Sequence, residues 1–211
     1  MLPRLAPLRS RPVVGTGERL GVFGGTFDPP HIGHFAAAMN ALHAVSLDRV
    51  LLVVSNIPWQ KVGSRPLTSA DVRLEMVRAG VEGVTGLEAS DLELRRGGES
   101  CSADTLAALA EEDPSRQLFL IVGADAAAGL RTWRRWKELP RLSTLVVVDR
   151  EGVGTALADW PGRVITVTIP RLDVSSTELR RRAAAGEPLE YLVPTRVASV
   201  VRDRLLYRGG R

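Results

Sequence analysis

Five aliphatic, β-branched runs alternate with helix-patterned segments, and this alternation restricts the fold more than any other property of the chain. The runs are 19–23, 50–55, 118–123, 145–149 and 164–169. They read as continuously apolar, as parallel strands covered on both faces do. Between them lie 35–45, 69–79, 103–112 and 131–139, with helical spacing or Ala-rich composition. The alternation predicts an α/β fold, a doubly wound and mostly parallel sheet with right-handed crossovers. Such sheets bind ligands beyond the carboxyl ends of their strands, where the strand order reverses. The 211 residues suffice for one such domain. No repeat or long linker divides the chain, and 151–162 reads as a surface loop. One domain is predicted over 20–211. Residues 1–19, with Pro3, Pro7 and Pro12 among Arg4, Arg9 and Arg11, read as a poorly ordered or extended start.

Composition excludes several function classes. Cys101 is the one cysteine, so no internal disulfide can form and a reducing, cytoplasmic setting is expected. One Cys and three His do not suit a four-ligand structural zinc. The most apolar stretch, 118–130, is too short to span a bilayer and carries Asp125. The amino terminus lacks the continuous apolar segment of a secretion signal. Net charge is +4 with a pI near 9.9, yet the basic residues are arginines spread along the chain. That spread makes no stripe for nucleic acid or membrane, and a small polyphosphate ligand favours the same sign of field.

The first run ends in Gly21-Val22-Phe23-Gly24-Gly25-Thr26-Phe27-Asp28-Pro29-Pro30-His31-Ile32-Gly33-His34, and a helix is expected from about Gly33. Gly24 and Gly25 let a ligand approach the backbone closely. A helix start behind such a turn offers free N–H groups and the positive dipole end to an anion. His31 and His34 are three apart, share a helix face and can donate to phosphate oxygens. The alternative is a tight turn with two solvated histidines. Two of only three histidines stand here, which favours the functional reading, and His43 reads as a plain helix residue. The turn is not the G-x-G-x-x-G dinucleotide fingerprint, so hydride transfer loses its main support.

Near the carboxyl terminus stands Asp173-Val174-Ser175-Ser176-Thr177-Glu178-Leu179-Arg180. Ser175 and Glu178 have capping-box spacing, which puts Ser176 and Thr177 in a first helical turn. Arg180, one turn on, can reach a phosphate as a planar fork. Alone, the segment reads equally as a capped helix with an arginine-rich solvated face.

Together the two segments resemble the nucleotidyltransferase superfamily in its nicotinate mononucleotide adenylyltransferase branch. The first matches G-x-F-G-G-T-F-D-P-x-H-x-G-H. The second matches I-S-S-T-x-I-R, with Val174 and Leu179 at the isoleucines. His-Ile-Gly-His is also similar to the ATP site of class I aminoacyl-tRNA synthetases, but no tRNA-binding module accompanies it. The resemblance covers about residues 20–207. It implies a Rossmann-like fold with a C-terminal helical segment, and an enzyme that transfers the adenylyl group of ATP to nicotinate mononucleotide in NAD biosynthesis. It implies His31, His34 and Arg180 as catalytic groups. It places ATP against Gly24, Gly25, Thr26, Phe27, Gly123, Asp125, Ser175, Ser176 and Thr177. Mg²⁺ is implied through the phosphate oxygens, with no protein ligand named.

The acceptor would occupy segments between the motifs. Asn56 and Lys61 follow the second run. The family often reads P-P-H-K there with a phosphate-contacting Lys, while Trp59 and Gln60 stand here at the Pro and His. Lys61, one of two lysines, fits a surface position nearly as well. Ser100-Cys101-Ser102-Ala103-Asp104-Thr105 is similar to the family's S-Y-T-x-D-T. There, backbone N–H groups hold the nicotinate carboxylate, here at Ser102 and Ala103. Cys101 replaces the aromatic and also reads as a small buried residue. Asp125, at the end of the run 118–123, fits a ribose contact or a helix cap. Trp133 matches the tryptophan that stacks on the pyridine, Arg134 would favour its carboxylate unless it points to water, and Trp136 reads as core. Glu190-Tyr191-Leu192-Val193-Pro194 resembles the closing helix, begun by Pro194. The rivals are adenylyl transfer to nicotinamide mononucleotide or phosphopantetheine, or a non-catalytic nucleotide sensor. Association of identical copies is left open.

Overall fold

The computed structural model describes residues 17–58, 67–150 and 159–208. Residues 1–16, Lys61 with Trp59 and Gln60, and most of the expected loop 151–162 lie outside the described residues.

Six described strands form one sheet in the order β3-β2-β1-β4-β5-β6, every neighbouring pair parallel. They are β1 Arg19–Gly25, β2 Arg49–Val54, β3 Leu87–Ser90, β4 Gln117–Gly123, β5 Thr144–Arg150 and β6 Val164–Ile169. The chain winds outward from β1 to β3, returns to place β4 beside β1, then winds out the other way. The order therefore reverses between β1 and β4. The carboxyl ends of those two strands, Gly25 and Gly123, flank the crevice where such sheets take ligands.

Successive side chains of a strand point to opposite faces, and each face has its own helices. Phe119 and Ile121 of β4 join Phe23, Leu52 and Val148 under α1 (Ile32–Ala44) and α2 (Ala70–Val81). Leu118, Leu120 and Val122 join Val22, Leu51 and Val147 under α4 (Ser102–Glu112). Ala37, Ala38 and Ala41 form the buried side of α1, small enough for close approach to the sheet. Two short helices, α3 (Leu92–Arg96) and α5 (Ala124–Ala128), lead from β3 and β4. A third apolar cluster holds Leu179 of α7 (Ser176–Ala185) and Val197 and Val201 of α8 (Thr195–Asp203) against Met76 of α2. The Ile32 N–H donates to the Leu192 carbonyl at 3.1 Å, which ties the start of α1 to this carboxyl-terminal unit.

Three expectations change. The strand β3 is absent from the sequence reading, because this four-residue edge strand buries only Leu87. The helix expected over 131–139 is replaced by two short 3₁₀ turns, Leu130–Thr132 and Trp136–Glu138, and the four-residue α6 (Leu139–Leu142). Trp133 is extended between the turns and Arg135 is left-handed at φ 57°, which breaks the helical path. Finally, Pro194 is the residue before the first turn of α8, not within it. Among the described residues no helix is long and apolar enough to cross a membrane.

Candidate active site

Two cavities open at the carboxyl ends of the strands and share His34 in their linings. The larger, about 760 Å³, is lined by His31, His34, Gly123, Asp125, Ser175, Ser176, Thr177 and Arg180, with Phe23, Val148, Ile169 and Val174 as apolar wall. The smaller, about 300 Å³, is lined by Gly24, Gly25, Thr26, His34, Ser55, Ser102, Trp133 and Arg134.

The end of β1 works by what its glycines omit. A Cβ on Gly24 would meet nothing within 4 Å and would project into open space, so its absence leaves room for a ligand. A Cβ on Gly25 would strike the Phe27 ring at 2.7 Å. That ring is buried, at 2% exposure, and packs edge-on against His34 with centroids 5.1 Å apart. Phe27 lines neither cavity; it is a backing for the histidine, which differs from the direct ATP contact expected of it. Gly24, Gly25 and Thr26 stand on the smaller cavity, not with the other residues assigned to ATP.

His31 precedes α1 with extended backbone and stacks on His34 at 3.7 Å between ring centroids. The His31 main-chain N–H donates to His34 Nδ1 at 3.1 Å. An accepting Nδ1 in a neutral ring leaves the proton on Nε2, and with it a donor for an anion. Gly33, in the first turn of α1, also lines the larger cavity.

Helix α7 faces this turn. Ser175 caps it by accepting from the Glu178 N–H at 3.2 Å. The expected reciprocal bond gives way to a surface cluster in which Arg181 and Arg182 engage the Glu178 carboxylate. Hydrogen bonds from Arg181, first among several causes, draw that carboxyl down to about 2. The Ser176 hydroxyl donates to the Pro29 carbonyl at 2.8 Å. Arg180 donates to the Asp28 carbonyl at 2.8 Å and to Thr177 Oγ1 at 3.1 Å. These contacts clamp α7 to residues 28–29, so both motifs form one wall. Asp28, 1% exposed, accepts from the Tyr207 hydroxyl at 2.7 Å. Burial first, and the Asp28 charge next, raise the Tyr207 phenol far above its ordinary range.

Gly123 is the residue before α5, so Asp125 lies inside the first turn and its carboxylate is exposed at the cavity lip. The N-cap alternative for Asp125 is thereby replaced.

The smaller cavity is closed by α4 and the broken segment 130–138. Cys101 is buried at the amino end of α4, and its thiol lies 3.7 Å from the Arg134 carbonyl. Arg135 forms ion pairs with Asp104 of α4 and with Glu138. Together they hold Trp133 at the first turn of α4, whose amides have no intrahelical acceptors. Ser102 lines the cavity, while Ala103 is fully buried behind it. Arg134 pairs with Glu99 at 3.3 Å, and both are largely exposed. Trp136 packs into the core near Trp160. The Asn56 amide donates to the Gly98 carbonyl at 2.9 Å, joining the loop after β2 to that before α4, and lines neither cavity.

Sequence reasoning missed Arg73, Asp28 and Asp149. Arg73 lies buried under the turn after β1, and Asp149 lines the larger cavity. Asp28 lay within the quoted motif, but its burial and its partner 179 positions away have no local signal.

Comparison with known proteins agrees with this arrangement. The cytidylyltransferase-like family model matches residues 22–182. The "Probable nicotinate-nucleotide adenylyltransferase" of Symbiobacterium thermophilum is 41% identical over 201 residues, covering 91% of this chain and 96% of that protein. The protein of the same description from Thermus thermophilus is 40% identical over 190 residues, covering 90% and 100%. In structure, the Plasmodium falciparum nicotinic acid mononucleotide adenylyltransferase complexed with NaAD superposes with a TM-score of 0.77 at 16% identity, over 90% of this chain and 97% of that one. Two cavities joined at His34, on a parallel sheet whose order reverses there, accompany this likeness along nearly the whole chain, which belongs to the nicotinate-nucleotide adenylyltransferase family.

Proposed function

We infer that the chain transfers the adenylyl group of ATP to nicotinate mononucleotide, giving nicotinate adenine dinucleotide and pyrophosphate. The observation that carries this is His34, whose ring borders both cavities, so that two nucleotides seated on either side meet at one donor. Relatives about 40% identical carry this activity in their names, and the structural relative from Plasmodium falciparum is a complex with NaAD.

ATP takes the larger cavity, its base against Val148, Ile169 and Val174 and its phosphates toward His31, His34 and α7. Asp125 accepts from its ribose. The acceptor takes the smaller cavity. Trp133 stacks on its pyridine, the α4 amides at Ser102 and Ala103 receive its carboxylate, and Arg134 adds positive charge. Its phosphate is already ionised, so no general base is needed. An oxygen of that phosphate forms a bond to the α-phosphorus as the bond to the pyrophosphate oxygen breaks. Charge developing on the leaving group falls to His34, Ser176, Thr177 and Arg180. Catalysis is positioning and charge stabilisation, with no covalent enzyme intermediate.

Among the described residues no group of three or more His, Cys, Asp or Glu is arranged to hold a metal ion. Mg²⁺ would be carried on the ATP phosphate oxygens, where it would supply charge neutralisation. The lone thiol Cys101 suits a reducing cytoplasm, and arginines spread along the sequence suit a small polyphosphate ligand.

The test is pyrophosphate release by the purified chain with Mg·ATP and, in turn, nicotinate mononucleotide, nicotinamide mononucleotide and phosphopantetheine. Release fastest with the nicotinate form is expected. Release fastest with another acceptor would overturn the site around Ser102 and Arg134, and release with none would favour a nucleotide sensor.

A further inference from the structure

Arg73 is buried on α2, at 1% exposure, where an arginine is ordinarily found at the surface. Withdrawing a guanidinium from water is tolerated when its N–H groups are taken up. Main-chain carbonyls take them up here. Nε donates to Thr68 at 2.8 Å, one terminal nitrogen to Thr26 at 2.9 Å and Ser55 at 2.7 Å, and the other to Asn56 at 3.1 Å. These acceptors belong to three segments: the turn after β1, the exit of β2, and the residues before α2.

Two of them, Thr26 and Ser55, also line the smaller cavity, and none of the four lines the larger. The guanidinium therefore grips one cavity from behind and leaves the other alone. In a trans peptide the C=O and N–H point opposite ways. The bonds to Thr26 and Ser55 thus turn the N–H groups of Phe27 and Asn56 away from Arg73. A planar fork fixes several directions at once, which the single nitrogen of a lysine does not.

We propose that Arg73 is a positioning residue for the acceptor. By holding the turn after β1 and the exit of β2 at a set separation, it fixes the width of the smaller cavity and the distance from the acceptor phosphate to the α-phosphorus. It touches neither substrate. The proposal rests on the assignment of the acceptor to that cavity.

The test is steady-state kinetics of Arg73→Met and Arg73→Lys, each substrate varied at saturating levels of the other. Folding is checked by circular dichroism and by affinity for a non-hydrolysable ATP analogue. A misplacement of about 1 Å costs up to roughly 10²-fold. Arg73→Met should therefore raise the acceptor KM, lower kcat, or both, by about ten- to a hundredfold in kcat/KM for the acceptor, with the ATP KM changed by less than about twofold. Arg73→Lys, which keeps the charge but gathers its donors on a single nitrogen, should fall between Met and wild type. If Arg73→Met does not fold, Arg73→Lys alone decides by the same split. Equal rises in both KM values, or a lowered melting temperature with kinetics unchanged, would overturn the proposal and leave Arg73 a structural staple. Wild-type turnover tests the reaction itself, and the variant-to-wild-type ratio tests Arg73, so the two failures are told apart. Should another acceptor be the substrate, the split is measured with that acceptor.

Discussion

His34 concentrates the chemistry of the site into one side chain. Its Nδ1 accepts from the backbone of His31, its ring is backed by Phe27, and it borders both cavities. A donor fixed by the His31 amide, the His31 ring and Phe27 need not reorganise as charge develops, which makes it effective toward a transition state. His34→Ala should lower kcat by about 10²–10³-fold, the usual loss for one such donor, with the melting temperature nearly unchanged because the ring is only half-buried. Near-wild-type kcat, measured by pyrophosphate release, would remove His34 from the mechanism. The pair His31 and His34 was legible from sequence because a glycine turn and three-residue spacing are local signals. Phe27 was legible as part of the motif but not as a buried support, since burial depends on what β1 and α1 place around it. Arg73 gave no signal at all, because one arginine in an amphipathic helix has the same pattern whether it faces water or three converging loops.

At the scale of elements, the strands were read well and the broken segments poorly. The runs of Val, Leu and Ile in β2, β4 and β5 mark strands buried on both faces, whereas the edge strand β6 buries only Val167 and Ile169 and departs from that expectation. The sequence bounds of β1, β2, β4, β5 and β6 differ from the structure by at most two residues. Short β3 lacks such a run. Segment 131–139 has the composition of a helix but not its path, since Arg135 reaches Asp104 and Glu138 from a left-handed backbone. That tertiary grip overrides helix propensity and sets extended Trp133 on the lip of the smaller cavity. Trp133→Ala should raise the acceptor KM about tenfold, the equivalent of the roughly 1.4 kcal/mol that a stacked ring contributes, and leave the ATP KM nearly unchanged. Equal effects on both constants would make Trp133 a core residue, consistent with its half-buried place against the apolar cluster that holds Leu130 and Leu139.

At the scale of the whole molecule, the sheet order explains why residues so far apart in sequence meet. The reversal between β1 and β4 opens the crevice, and the carboxyl-terminal helices close one side of it. Ser176 and Arg180 bond to Pro29 and Asp28 across 147 and 152 positions. Two motifs at opposite ends of the chain thereby form one phosphate-facing wall, while the acceptor cavity is built from the middle of the sequence. The meeting of the motifs was legible through their joint resemblance to one family. The partition into two cavities was not, because it depends on the inter-loop bonds of Arg73, Asn56 and Arg135. The central claim is that substrates occupy these two cavities and react at His34. A crystal structure of the chain with nicotinate adenine dinucleotide tests it most directly. The adenosine is predicted in the larger cavity against Val148 and Ile169, the pyridine against Trp133, and the diphosphate bridge beside His34. A dinucleotide lying wholly within one cavity, or bound with its two ends exchanged, would contradict the account.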